Sequence, residues 1–426
     1  MAQKLEAKPT NETAKRGGTM IIVSLMAGYS IVYMDKSMVS LAIMPIGKQF
    51  GLDTGQTGLI MSFFFLGYAL MQIPCGWLAD RIGAKKVLIG SLTFIAVFAF
   101  LFGAMGGLIL FIVMRFCMGL GHGGYPPSVT KSIAENFPLK RRTFVQSLIL
   151  STSGIGGILA FTLGGVLVDR NWRMAYAVLG ALYLVSVILI WFFVPAHGGA
   201  AEEERKARAE AQAGNTEAAK ADAPKAGFKD VIKNRNVIVL FIAMIFINVM
   251  LYGQMSWMPT YIKTTFALST TKAALVLAFN SIFTMLATIF SGSLLSKLFL
   301  GRERMAIIGS CLITAVLIVV FIFVGKSSLV VSMVLLAMMS LVSMFAFTGI
   351  FTWPHKIMNA EIIGSSIAVI NTGGTIGGFL APMILGNMVK SAGGSFTNAF
   401  LFIAAMTVLC ALVVLFVKPE LTTASK

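Results

Sequence analysis

Two ionisable residues interrupt the apolar segment 19–44, which is long enough to cross a lipid bilayer. Asp35 and Lys36 lie near its middle, where a charged side chain costs about 3 kcal/mol to insert. Such residues are expected to line a polar cavity rather than to face lipid. Tyr33 precedes Lys36 by three positions and shares its helix face, whereas Asp35 and Lys36 point about 100° apart.

A second apolar segment, 109–134, carries Arg115 and His122. The two residues are seven positions apart, so a helix places them on one face about 10 Å apart, with Gly119 between them. Arg115 is expected to bind an anion or to pair with Asp35; alternatively, it extends to the nearby membrane interface. His122 is a candidate proton site, although a hydrogen-bonded structural histidine is an equal alternative.

Proton transfer is the chemistry that Asp35 suggests. Burial favours the neutral acid while a nearby cation favours the carboxylate, so the residue could change between the two forms. Lys36 would offer a point charge to the carboxylate of a ligand, unless it forms a salt bridge with Asp35 or with another helix. Asp35 and His122 are therefore the candidate residues for proton coupling.

The composition places these residues in an integral membrane protein. Of the 426 residues, 57% are hydrophobic and 12% are charged, against about 25% charged residues in soluble domains. The apolar runs are long and continuous rather than alternating, which predicts an all-α membrane protein instead of a β-barrel. Twelve transmembrane helices are predicted, near 19–44, 58–80, 86–106, 109–134, 143–168, 174–195, 236–262, 272–297, 305–325, 328–354, 363–389 and 397–417.

The net charge of +17 is explained by membrane topology rather than by a nucleic-acid partner. Most Lys and Arg residues fall in alternate loops, as expected if those loops and both termini are cytoplasmic. No cleavable signal peptide is expected before the first span. The prediction is a multi-pass protein of the bacterial inner (plasma) membrane, monomeric, whose partners are the lipid bilayer and a small molecule.

One long hydrophilic segment divides the predicted helices into six plus six. Each half carries a similar loop at the same place, after the second and the eighth helix, although the second copy lacks the acid. Two pseudo-symmetric six-helix bundles are therefore predicted, with a site between them near the bilayer midplane. The predicted parts are a cytoplasmic N-terminal tail (1–18), an N-terminal bundle (19–196), a cytoplasmic linker (197–235), a C-terminal bundle (236–417) and a cytoplasmic tail (418–426).

The loop after the second helix reads Gly76-x-x-x-Asp80-Arg81-x-Gly83-x-Lys85-Lys86. This pattern resembles the signature loop of the major facilitator superfamily of transporters. Gly76 would allow close helix packing, and Asp80 would pair with a basic residue or cap a neighbouring helix. The basic residues of the loop would anchor the inner face. The resemblance implies a charge cluster that breaks and re-forms as a gate during alternating access.

Further residues resemble the anion:cation symporter branch of that superfamily, which includes permeases for hexuronates, galactonate and related organic anions. The matching residues are Tyr33-x-Asp35-Lys36, Tyr68-x-x-x-Gln72-x-Pro74-x-Gly76, Arg115-x-x-x-Gly119, Trp257-Met258-Pro259-x-Tyr261 and Asn371-x-x-Gly374. Two positions depart from the branch, because Lys36 stands where Arg is usual and His122 stands where Glu is frequent.

The candidate substrate-binding residues combine these charges with aromatic and amide side chains. They are Tyr33, Lys36, Tyr68, Arg115, Tyr252, Trp257 and Asn371. Taken singly, a polar residue such as Tyr252 or Asn371 more often makes a packing hydrogen bond between helices than a ligand contact.

The residues and the resemblance together predict a secondary active transporter. It would import a small organic anion, such as a sugar acid or another carboxylate, with protons by alternating access. An exchanger, a uniporter or an efflux pump of the same superfamily is the alternative, and a membrane-embedded receptor or enzyme is a remote one. No metal cluster, nucleophile–base set or phosphate-binding loop is recognised, so no enzymatic activity, no metal and no cofactor besides the coupling proton is expected.

Overall fold

The computed structural model describes residues 11–196, 228–299, 301–358 and 363–418, and these ranges contain twelve long helices. The helices are α1 (Asn11–Phe50), α2 (Thr54–Ile82), α3 (Ala84–Ala104), α4 (Leu108–Asn136), α5 (Leu139–Leu159), α6 (Gly165–Phe193), α7 (Arg235–Thr265), α8 (Thr270–Leu298), α9 (Glu303–Val324), α10 (Leu329–Thr352), α11 (Ile363–Ser391) and α12 (Thr397–Val414). Short helices also cover Phe228–Lys233 and Pro354–Ile357. Most of the predicted linker 197–235, and most of the C-terminal tail, lie outside the described residues.

Helix length and hydropathy account for twelve membrane crossings. Eleven described stretches are long and apolar enough to cross a membrane, and one of them, Phe144–Phe193, has 50 residues. That stretch passes through a π-helical turn at Ala160–Gly164 and bends at Asn171, whose φ of −162° and ψ of 108° are extended. The Asn171 side-chain oxygen accepts a hydrogen bond from the Arg173 N–H at 2.9 Å. The stretch therefore makes two crossings, and the all-α fold with twelve spans is confirmed.

The boundaries of the helices follow local capping chemistry more closely than hydropathy. Asp53 begins α2 with a capping box: its carboxylate accepts from the Gln56 N–H at 2.9 Å, and the Gln56 side chain accepts from the Asp53 N–H at 3.0 Å. The side chains of Asn234 and Ser269 cap α7 and α8 by accepting hydrogen bonds from backbone N–H groups of the first turn. The first helix continues to Phe50, past the predicted end of its apolar run, and Gly51 follows it with a φ of 64°.

The packing of the first six helices is repeated by the last six. Helix α2 packs on α4 as α8 packs on α10, α1 packs on α5 as α7 packs on α11, and α3 packs on α6 as α9 packs on α12. The halves meet through the equivalent pairs α2–α11 and α5–α8. This correspondence is the pseudo-symmetry that the repeated loop predicted, and it leaves α1 and α7 lining the space between the halves.

The two halves are joined at the distal end, defined as the end that holds the α1–α2 and α11–α12 connections; the opposite end is called proximal. Asp53 forms an ion pair with Lys390, with 2.9 Å between Oδ2 and Nζ. The Thr54 hydroxyl donates to the Gly386 carbonyl at 2.9 Å. These contacts close the distal end in this structure.

The Asp53–Lys390 pair is expected to stabilise distal closure modestly, because the side chains are 56% (Lys390) and 36% (Asp53) exposed and exposed ion pairs contribute about 0–1 kcal/mol. Asp53→Asn removes the charge while Asn still caps α2. In a background without the natural cysteines, Ser62→Cys places a thiol that is buried between the halves. Asp53→Asn should raise the rate at which an impermeant thiol reagent labels this cysteine, by up to about fivefold.

Lys390→Gln should raise the labelling rate to the same extent and the double variant no further, because each change removes the same interaction. Additive effects would show that the pair does not hold the halves together. The pKa of Asp53 is lowered by the hydrogen bond from the Gln56 N–H and by Lys390. The contribution of the pair is therefore present at neutral pH and is lost only as the pH falls through this lowered pKa.

Candidate functional site

Close helix approach brings α1, α2 and α4 together around the middle of the first half. A Cβ at Gly119 of α4 would collide with the backbone of Phe64 in α2. A Cβ at Gly156 of α5 would likewise be too close to the carbonyl of Ser30 in α1. Because these glycines remove side-chain bulk, the polar residues of α4 can reach α1.

Asp35 bridges the two basic residues of α4. Arg115 Nη1 lies 2.9 Å from Asp35 Oδ1, and His122 Nε2 lies 2.8 Å from Asp35 Oδ2. All three side chains are 0–1% exposed. Of the alternatives open for Arg115, this structure contains the pairing with Asp35, and the side chain does not extend to the membrane interface.

Tyr183 of α6 completes this group, and it was not among the residues predicted from the sequence. Its hydroxyl lies 3.1 Å from His122 Nε2 and 3.4 Å from Asp35 Oδ2. Tyr176, two helical turns earlier on the same face, has a buried hydroxyl with no hydrogen-bond partner among the described residues. The sequence feature that could have identified Tyr183 is this pair of tyrosines, seven positions apart inside an apolar span. Asp35, Arg115, His122 and Tyr183 are called the Asp35 cluster below.

Lys36 points away from this cluster and lies between two tyrosine rings. Its Nζ is 4.5 Å from the ring centroid of Tyr68 and 5.0 Å from that of Tyr33. Lys36 is only 5% exposed, yet it makes no ion pair or hydrogen bond with the described residues. The salt bridge with Asp35 considered above is not formed, so the charge of Lys36 is available to a ligand.

The aromatic residues predicted to bind substrate surround this lysine. The Tyr68 hydroxyl oxygen accepts a hydrogen bond from Gln72 Nε2 at 3.2 Å, which leaves its own proton for donation to an anion. Tyr252 comes from α7 in the other half, and its ring lies 4.4 Å from that of Phe65. Both halves therefore contribute side chains to the region around Lys36.

Two other predicted residues have different surroundings. Trp257 is 1% exposed, and its indole N–H donates to the Pro382 carbonyl at 3.1 Å. It thereby joins α7 to α11, beside Gly386, and its contacts are those of a packing residue. Asn371 of α11 is half-buried and has no hydrogen bond within the described part of the chain.

The acid of the signature loop forms a network at the proximal end. Lys131 of α4 lies 2.9 Å from Asp80 and 3.7 Å from Glu135. The second half contains an equivalent pair, in which Glu303 and Lys356 are 2.6 Å apart. The second loop has no acid at the position that corresponds to Asp80, and the acid of its ion pair is Glu303, the first residue of α9.

The basic residues of the loop attach it to neighbouring aromatic residues. The Arg81 guanidinium lies 4.1 Å from the ring centroid of Trp77. Lys85 donates to the Trp191 carbonyl at 2.7 Å and so connects the loop to the end of α6. Lys86 is exposed. These contacts agree with an anchoring role at the proximal face.

The two glycines of the loop differ in what their backbone requires. Gly83 separates α2 from α3 with a φ of 94°, a conformation that residues with a Cβ rarely adopt. Gly76 has ordinary space, because an added Cβ would lie 3.5 Å from the Pro127 side chain. The role of Gly76 in allowing close helix packing stays a prediction.

Comparison with known proteins agrees with this architecture. The sequence model of the Major Facilitator Superfamily matches residues 25–382. The chain is 27% identical to a probable sulfoacetate transporter of Cupriavidus necator, over 95% of both chains. It is 27% identical to a probable galactarate/D-glucarate transporter of Escherichia coli K12, over 94% of this chain and 95% of the relative. It is 26% identical to a cis,cis-muconate transport protein of Acinetobacter baylyi, over 91% of both.

A solved structure shows the same fold. The bacterial homologue of the human lysosomal transporter Spinster, in an inward-facing and occupied conformation, superposes with a TM-score of 0.71 at 16% identity, over 94% of both chains. The family predicted from the signature loop is confirmed. This chain belongs to the Major Facilitator Superfamily, and it is a multi-pass membrane transporter rather than an enzyme.

Proposed function

We propose that this protein imports a small organic anion together with protons by alternating access. The observation that carries the proposal is a buried lysine with no anionic partner among the described residues, beside a buried acid that is paired with Arg115 and His122. Lys36 can attract an anion, and Asp35 can take up a proton when its partners change.

The named cargoes of the relatives support an organic anion as the substrate. Sulfoacetate, galactarate, D-glucarate and cis,cis-muconate are all small organic anions, and each carries two acidic groups. The sequence similarity extends over nearly the whole of each relative. The residues with cationic and hydroxyl groups at the centre of this chain are suited to ligands of the same kind.

In the proposed cycle, the anion enters from the distal side and its acidic group binds Lys36. The hydroxyl groups of Tyr33 and Tyr68 donate hydrogen bonds to it. Protonation of Asp35, shared with His122, then loosens the Arg115 contact and permits the halves to rock. Opening of the proximal side releases the anion and the proton. The distal closure seen here corresponds to the later part of that cycle.

The proposed setting is the bacterial inner membrane, with the proximal end and both termini in the cytoplasm. The protein would act as a single chain, with the proton as its coupling ion and without any other cofactor. Exchange, facilitated diffusion and efflux are the competing modes of transport. They differ from the proposal in their response to an imposed proton gradient, which is therefore the deciding measurement.

Asp35→Asn should abolish gradient-driven accumulation of the anion while leaving exchange of labelled for unlabelled anion measurable. The amide keeps the size of the side chain but cannot carry the coupling proton. Uptake into proteoliposomes with and without an inward proton gradient measures both activities. Asp169→Asn is the matched control, because Asp169 lies at the distal end and an amide oxygen can still accept from Thr271.

Wild-type uptake that does not respond to the proton gradient would remove the proton coupling and favour exchange or uniport. Full accumulation by Asp35→Asn would refute the role of this residue while leaving anion import intact. Outward transport driven by the gradient would indicate an efflux pump.

Lys36→Gln should weaken anion binding roughly 10- to 100-fold, because hydrogen bonds to charged groups contribute about 1.5–3 kcal/mol. Lys36→Arg should retain most of the affinity, since it keeps the charge. A thermal-shift screen of sugar acids, dicarboxylates, sulfonates and phosphate esters first identifies anions that bind. The anion concentration at half-maximal uptake then measures the effect of each variant. Lys48→Gln, at an exposed lysine of α1, is the control, and unchanged affinity in Lys36→Gln would exclude the lysine as the anion ligand.

A further inference from the structure

We propose that the transported anion carries two acidic groups, and that one proton enters the Asp35–His122 pair for each such dianion that binds. The inference deepens the proposed function and rests on it, because the same site is used. One acidic group would bind Lys36, and the other would replace Asp35 as the partner of Arg115.

The charges at the centre of the first half set the number of anionic groups that can be bound. Arg115 is compensated by Asp35 at 2.9 Å, and a neutral His122 adds no charge. Lys36 is the remaining cation, held only by aromatic rings. A ligand with one negative charge therefore balances the site, whereas a second negative charge would be buried beside Asp35 without a partner, which is strongly unfavourable.

Uptake of a proton changes this balance by one charge. The charged or titratable groups near Asp35 are Lys36, the next residue on its own helix, Arg115 and His122 on α4, and Tyr176 and Tyr183 on α6. Asp35 is the single acid among them. A proton on the Asp35–His122 pair removes the charge that Arg115 compensates, so the guanidinium becomes available to a second carboxylate or sulfonate.

Arg115 has unused hydrogen-bonding capacity for such a group. Its contact with Asp35 uses Nη1, while its buried Nε has no partner among the described residues. A planar acidic group can accept two parallel hydrogen bonds from a guanidinium. The protonated pair would remain hydrogen-bonded, because His122 and Tyr183 both lie within reach of Asp35 Oδ2.

The two cations lie against aromatic rings of the same helix, α2. The Arg115 guanidinium lies 4.4 Å from the centroid of Phe64, and Lys36 Nζ lies 4.5 Å from that of Tyr68. These rings are one turn apart on α2, nearly parallel, with centroids 6.4 Å apart. A ligand that binds both cations would therefore lie beside this turn of α2.

Matched pairs of anions test the proposal with the purified full-length transporter in nanodiscs. Sulfoacetate is compared with 2-hydroxyethanesulfonate, and D-glucarate with D-gluconate, since each pair differs by one acidic group replaced with a hydroxymethyl group. Isothermal titration in two buffers of different ionisation enthalpy gives the affinity and the number of protons taken up. At least one dianion should bind roughly 10- to 100-fold more tightly than its partner, with about one proton taken up per dianion.

Asp35→Asn should bind the dianion with no proton uptake, because Arg115 is already free of its acid. A monoanion that binds as tightly as its dianion, dianion binding by the wild type without proton uptake, or no binding by any of the four probes would overturn the proposal. The wild-type measurements of affinity and proton uptake test the proposal even if the Asp35→Asn variant does not fold. Proton-driven import of a monoanion would leave the proposed function intact and remove this inference. A dianion that binds with a proton but is never transported would instead remove the proposed function and leave only the coupling of dianion and proton binding.

Discussion

Compensation of the buried Asp35 charge is the interaction on which the rest of the site depends. A carboxylate that is 0% exposed at the middle of a membrane helix needs hydrogen-bonded partners, and Arg115 and His122 supply them from α4. Gly119 lets α4 lie close against the backbone of α2 in the same region. Because Arg115 and His122 join α4 to α1 through Asp35, a change of protonation at Asp35 alters the forces that hold these two helices together.

The pseudo-symmetry of the fold does not extend to the charged cluster at the centre of the first half. The helix pairs of the first half recur in the second, and the proximal pairs Asp80–Lys131 and Glu303–Lys356 correspond to each other. The Asp35 cluster, in contrast, lies entirely on α1, α4 and α6, and the second half contributes the aromatic ring of Tyr252 to the region around Lys36. One half therefore holds the charges of the central cluster, and the other contributes an aromatic ring beside them.

The crossings could be predicted from the sequence because hydropathy is a property of each segment alone, and even the turn at Asn171 fell between two predicted spans. The sequence left open whether Arg115 pairs with Asp35, because that contact depends on the depth and the rotation at which α4 meets α1. Tyr183 was missed for the same reason, since its neighbours come from other helices. The family pattern at Trp257 likewise gave no means of distinguishing a ligand contact from the hydrogen bond to the Pro382 carbonyl.

The weakness of the distal contacts explains how a small ligand could control the position of the halves. An exposed ion pair and single hydrogen bonds join them there, and such contacts contribute about 1 kcal/mol each. Near the centre, Ser37 contacts Met255 across the halves at 3.9 Å, two residues from Asp35. A ligand need only bind one arrangement a few kcal/mol more tightly than the other to reverse their populations. In the proposed cycle, two charge-assisted contacts at Lys36 and Arg115 would supply energies of that size, so the occupancy of the central site would bias which end is closed.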